Sequence, residues 1–206
     1  MGIPDVTIPI TPVYFPWEVV MKAERAVEKV QERMHKTAAA LKAGGVPFVV
    51  IGGNAVATWV ATRDPGAVRN TKDVDILLAR SDLQLAAEAM AAAGFDLDEV
   101  NGVTVFLDRD DPMPSRGVHV LFAGERIRSH DAVTAPPVKV GVHNPAGVPA
   151  IDLRELLILK LIAFRRVDQV HIADLVKVGL IDDAVAEQIP PELRPRLEEI
   201  RANPDG

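Results

Sequence analysis

Residues 73 to 79, Asp-Val-Asp-Ile-Leu-Leu-Ala, open with two acids one residue apart and continue as an almost unbroken apolar run. Side chains alternate across a strand, so a run apolar at successive positions predicts a strand buried on both faces. Such a strand needs covering layers, which points to a sheet wrapped by helices. Asp73 and Asp75 then sit at its mouth, projecting to one side roughly 6 to 7 Å apart along the strand axis.

The rest of the chain agrees with that architecture. Pro16 to Ala43 reads as a helix, with Val20, Ala23, Val27, Val30, Met34 and Leu41 near helical spacing, Pro16 in its first turn and Gly44-Gly45 at its end. Pro47 to Ile51 is a short buried strand running into a tight turn at Gly52-Gly53, and Asn54 to Ala61 continues as a helix. After a polar loop, Thr62 to Lys72, comes the acid-headed strand. Ser81 suits the N-cap of a helix through Ala93, closed by Gly94. Asp96-Leu97-Asp98 repeats the acid spacing without a preceding glycine turn and reads as a polar loop. Val103 to Leu107 and Gly117 to Phe122 read as strands joined by a polar excursion, and Val138 to Val142 as a third short one. From Asp152 the chain turns helical: Leu153 to Phe164, Asp168 to Val178, and a charged helix within Pro191 to Ala202.

These elements predict an α+β fold, a mixed α/β sheet with helices packed on it. The expected organisation is a lead over 1–15, a sheet-bearing domain over 16–150 and a helical portion over 151–206 packed on it, because no Gly/Ser-rich linker separates the last two. Of 206 residues none is Cys, which excludes disulfides and thiolate metal sites and makes oxygen-bound hard cations the default. The formal net charge of −6 argues against a protein that coats nucleic acid non-specifically. The proline-containing N-terminus does not resemble a signal peptide and no window suggests a membrane span, so the expectation is a cytoplasmic protein with no membrane partner.

Two like charges at a strand mouth need a cation, and Mg²⁺ or Mn²⁺ fits, since such ions are held by one or two carboxylates together with phosphate oxygens and water. Gly52-Gly53 supplies the complement. A turn without Cβ atoms lets a polyphosphate approach backbone N–H groups at a helix N-terminus.

Val49-Val50-Ile51-Gly52-Gly53-Asn54-Ala55 followed by Arg69-x-Thr71-x-Asp73-Val74-Asp75-Ile76-Leu77 resembles the glycine-turn and Asp-x-Asp signature of DNA polymerase β-like nucleotidyltransferases. The nearest flavour is the minimal bacterial group with the AbiE toxin-like enzymes. Leu159-Lys160-Leu161-Ile162-Ala163-Phe164-Arg165-Arg166-Val167-Asp168, then His171 and Asp174-Leu175, is similar to that group's C-terminal pattern, so the resemblance spans about Val49 to Leu175. It implies a nucleotidyltransferase fold and the transfer of a nucleoside monophosphate from a nucleoside triphosphate to an unidentified acceptor such as tRNA, a protein or a small molecule. It also raises membership of a toxin–antitoxin pair.

By the same resemblance Asp73 and Asp75 would hold Mg²⁺ or Mn²⁺. Gly52, Gly53, Asn54, Arg69 and Thr71 would bind nucleotide, Lys160 would balance phosphate charge, and Asp174 would orient Lys160 or the acceptor. The family's third carboxylate falls at His119. Three arrangements follow: one metal with His119 as base, Glu125 or Asp108 moving in as third acid, or nucleotide binding without turnover. The second glycine is a Ser in many relatives.

Taken alone, each of these pieces has a plainer reading. Asp-x-Asp at a strand start is most often a solvated turn, Gly52-Gly53 a tight turn, Lys160 a snorkelling surface residue, and Asp168 and Asp174 capping or surface acids. His171 reads as a helix-face residue, and His35, His130 and His143 suggest no role. Trp17 and Trp59 read as packing residues, and the final helix as a solvated face.

Overall fold

The acid-headed strand lies at the centre of the molecule, and the sheet is built outward from it. In the computed structural model, which describes residues 17–204, β2 (Val74–Leu78) is the fourth of seven strands. Its neighbours are β1 (Phe48–Val50), antiparallel, and β5 (Val118–Phe122), parallel. Beyond β5 come β4 (Val103–Asp108) and the edge strand β3 (Phe95–Val100), each antiparallel to its neighbour. On the other flank β7 (Pro149–Ile151) runs parallel to β1, and β6 (Val140–His143) closes that edge.

Alternation along β2 divides its side chains between two cores. Val74, Ile76 and Leu78 join the cluster formed with α1 (Trp17–Ala43) and α3 (Leu83–Ala92), through Val30, Met34, Leu41 and Met90. Leu77 faces the second cluster, made with α2 (Gly52–Ala61), α4 (Leu153–Ala163) and α5 (Arg166–Lys177). Val74, Ile76, Leu77 and Leu78 are fully buried, and each such side chain contributes on the order of 1.5–3 kcal/mol of transfer free energy. A one-residue slip would put Asp75 in the α1/α3 core, so the register is strongly specified. Asp75 therefore opens on the α4/α5 side.

Every residue of α4 from Glu155 to Ile162 is buried. A helix apolar around its circumference belongs inside a protein, and α4 is walled by α2, α5 and the sheet. It ends at Phe164, whose left-handed φ of 46° turns the chain sharply into α5. α6 (Asp183–Glu187) and α7 (Arg194–Ala202) finish the chain, with Leu197 and Ile200 of α7 turned inward. Among the described residues no helix is long and apolar enough to cross a membrane.

Several expectations change. The lead 1–15 and Pro16 lie outside the described residues. Ser81 is not an N-cap: residues Arg80–Asp82 form a 3₁₀ turn, and the α3 N-terminus has no side-chain cap. Asp96-Leu97-Asp98 belongs to β3, not to a loop. Trp17 is 71% exposed and packs in no core, whereas Trp59 packs as expected and its Nε1 donates to the Ile151 carbonyl at 2.8 Å. The third short strand begins two residues later than expected, and the three-residue β7 and the one-turn α6 were not anticipated.

Candidate active site

The helix after β1 starts at the glycines themselves, two residues earlier than the sequence pattern indicates. Ile51 N–H donates to the Asp75 carbonyl at 2.9 Å, and Gly52 then takes a φ of +66°. A Cβ at Gly52 would lie 2.0 Å from Oδ2 of Asp75, so the bend and the carboxylate are in direct apposition. Gly53 is a glycine for a different reason. Its backbone is unstrained, but a Cβ there would meet Thr71 Oγ1 at 2.8 Å and His171 Cε1 at 3.6 Å. No side chain caps the N-terminus of α2, which leaves its first-turn amides without a capping acceptor. Asn54 Nδ2 donates to the Asp73 carbonyl at 2.8 Å and ties the helix to the residue before β2.

Asp73 precedes β2 and is exposed, while Asp75, within it, is partly covered. Both raise the pKa of His119 and of Arg165, so the two carboxylates act on the same space. His119 is the cross-strand partner of Asp75 on β5, with its Nδ1 3.5 Å from Asp75 Oδ1 and its Nε2 3.1 Å from the Pro114 carbonyl. The Asp75 hydrogen bond, opposed by burial, raises the affinity of His119 for its proton. With the ring protonated, Asp75 and His119 form an ion pair.

The opposite wall is cationic and comes from α4 and α5. Lys160 does not snorkel: it is 5% exposed, and its Nζ donates to Oδ1 of the buried Asp168 at 3.0 Å. Arg165 Nε donates to Oδ2 of the same carboxylate at 2.8 Å. Burial is the largest influence on Asp168 and works to raise its pKa, yet Arg165 and Lys160 together outweigh it and hold the carboxyl below its usual range. Asp168 also completes the α5 capping box, accepting from the Arg165 N–H. It serves as a cap and as the clasp of two cations.

Asp174 partners Arg69, not Lys160, with Arg69 Nε to Asp174 Oδ2 at 2.6 Å and Nη2 to Oδ1 at 3.1 Å. That pair pins the loop before β2 onto α5. Asp108 is engaged by Lys36 and Glu125 by Arg80, so each candidate third acid has its own base. Among the described residues no group of three or more His, Asp or Glu converges as a metal cluster. Gly52, Gly53, Asn54, Asp73, Asp75, Thr71 and His119 are gathered at the mouth of β2, with Lys160 and Arg69 placed by α5. The sequence reading passed over Asp168 as the clasp of Lys160, and over His171, which sits against the glycine turn. The three- and four-residue spacing of Asp168, His171, Asp174 and Leu175 was the available signal that these share a helix face.

No family model matches the chain, and no curated protein matches it. Among solved structures, a crystal structure of ANT(2'')-Ia in complex with adenylyl-2''-tobramycin superposes with a TM-score of 0.54 at 16% identity, covering 84% of this chain and 98% of the other. The solution structure of the same antibiotic-resistance factor gives 0.53 at 13% identity, over 83% of this chain and 92% of that one. A mixed seven-stranded sheet with helices on both faces and this superposition lead to one conclusion: the chain has a nucleotidyltransferase fold.

Proposed function

We propose that the protein is a metal-dependent nucleotidyltransferase that moves a nucleoside monophosphate from a nucleoside triphosphate to an acceptor, releasing pyrophosphate. The observation that carries this reading is the apposition of the Gly52 bend and the Asp75 carboxylate, since it brings helix N-terminal amides and acidic oxygens to one point. Amides of that kind bind phosphate oxygens. Asp73 and Asp75 offer oxygen donors, the set that suits Mg²⁺ or Mn²⁺ when phosphate oxygens and water complete the shell. A bound ion of this kind neutralises charge on the transferring phosphate.

The chain's own groups do the rest. Lys160 and Arg165, clasped by Asp168, set positive charge opposite the acids, where a triphosphate needs it. Arg69, held by Asp174 yet 60% exposed, lies at the loop beside Thr71. His119, once relieved of its proton, is placed beside Asp75 to accept one from an acceptor hydroxyl. The AbiE-like subtype, and with it a toxin–antitoxin partner, is part of the proposal on the strength of the sequence motifs. So is the acceptor range of tRNA, protein or small molecule.

The test is pyrophosphate release from the four nucleoside triphosphates with Mg²⁺ or Mn²⁺ over a panel of acceptors. Release that vanishes in Asp75→Asn supports transfer, whereas no release under any combination refutes it. His119 beside Asp75, where the family has a carboxylate, favours a second reading: a nucleotide-binding partner protein whose catalysis has decayed. Under that reading His119→Asp creates an activity that the parent lacks.

A further inference from the structure

The inward face of α5 carries Asp168, His171 and Asp174 at three-residue spacing. The two acids are fully engaged, Asp168 by Lys160 and Arg165 and Asp174 by Arg69. His171 between them has none: its Nδ1 is buried with no hydrogen-bond partner. Its ring instead leans on the glycine turn, with Cε1 3.6 Å from where a Gly53 Cβ would stand, and Thr71 Oγ1 reaches within 2.8 Å of the same point. Two side chains with hydrogen-bonding ends therefore converge on the first turn of α2; Thr71 is the one that leaves position 53 no room for a side chain, and the His171 ring lies at ordinary contact distance beside it.

We infer that His171 is a substrate-binding residue that acts with Thr71 as a pair of donors above Gly53, gripping a phosphate oxygen of the nucleotide at the start of α2. This rests on the nucleotidyltransferase reading and deepens it. Burial, then the charge of Lys160, pushes the His171 pKa down to about 4, so the ring is neutral at physiological pH. A neutral ring donates from one nitrogen only, and with Nδ1 enclosed we assign the proton to Nε2, which is then a donor. The grip adds direction without adding charge to a wall that already holds Lys160, Arg165 and Arg69. The Thr71 hydroxyl supplies the second donor from the loop, where a residue at 53 has no space to supply its own.

The experiment is calorimetric binding of a non-hydrolysable nucleoside triphosphate, and separately of inorganic tripolyphosphate, in the presence of Mn²⁺. Parent, His171→Phe, His171→Gln, Thr71→Val and Thr71→Ser are compared. A hydrogen bond to a charged acceptor is worth about tenfold or more in affinity, so His171→Phe and Thr71→Val should each weaken both ligands by about that factor. His171→Gln and Thr71→Ser, which keep a donor, should bind within a few-fold of the parent. Unchanged affinity in His171→Phe and Thr71→Val overturns the inference, as does a penalty seen with the nucleotide but not with tripolyphosphate. Thr71→Val is isosteric and carries the test if the Phe variant does not fold. A parent that binds no triphosphate at all overturns the function itself, an outcome distinct from unaltered variants.

Discussion

Gly52→Ala strikes the contact on which the site is built, and its cost divides into two parts that experiment can separate. At a φ of +66° an alanine enters the left-handed region, a cost of about 1–2 kcal/mol. Its methyl would also stand 2.0 Å from Asp75 Oδ2 and 2.9 Å from Cγ, far inside contact distance, so the carboxylate must turn away. Overpacking of this kind adds about 1–3 kcal/mol. The expected loss is therefore about 2–5 kcal/mol, of which about 0.4–1 kcal/mol is offset by the stiffer unfolded chain. Urea denaturation of parent, Gly52→Ala, Asp75→Ala and the double variant closes a double-mutant cycle. With the carboxylate gone, the alanine meets only the Cβ at position 75, at 3.1 Å, and should cost little more than its backbone share of about 1–2 kcal/mol. A loss in Gly52→Ala below about 0.5 kcal/mol, or one equal in both backgrounds, refutes the claim that bend and carboxylate are in apposition.

Acid should unfold the protein partly through His171. Its folded pKa of about 4 lies below the ordinary 6.5, so the unfolded chain takes up a proton first and stability is lost as pH falls from about 6.5 towards 4, by on the order of 3 kcal/mol. Denaturation midpoints measured across that range should fall less steeply in His171→Phe, and an identical slope contradicts this. Asp168→Asn strands the buried Lys160 charge and should cost about 3–5 kcal/mol, whereas Lys160→Met combined with Asp168→Leu should recover much of that stability; thermal melts of the three chains decide. Gly141→Ala places a Cβ 2.6 Å from both Asp152 Cα and Trp59 Cζ2, and should lower stability by about 1–3 kcal/mol, visible as a reduced urea midpoint.

The mouth of the site was legible because it is local. Asp73 and Asp75 occupy alternate positions beside a buried apolar run, and Gly52-Gly53 follows β1, the short strand antiparallel to it, so period and turn chemistry were enough. The edge of the sheet was missed for the opposite reason. β3 is exposed along Asp96 to Glu99 and buries only Phe95, so its alternation of Phe95 and Leu97 with acids is too short and too polar to mark a strand. A signal was nonetheless present. Asn101 and Gly102 both have positive φ and join Val100 to Val103, the two-residue hairpin that an Asn-Gly pair favours. β7 has only three residues and begins with Pro149, too short for any period. The cationic wall was only half visible, since Arg69 and Asp174 meet across 105 residues of sequence. Lys160 and Asp168 face each other only because Phe164 turns the chain back on itself. Single-sequence spacing does not encode such pairings.

That corner at Phe164 has a consequence for how charge can be redistributed around the acids. Lys160 leaves the end of one helix and Arg165 the start of the next, yet one carboxylate binds both, so the pair behaves as a single rigid fitting with two prongs. Lys160 rides on the first helix and Asp168 on the second, so a shift between the two helices would pull the shared carboxylate away from Lys160. Removing that one carboxylate would release two cations from their fixed positions at once.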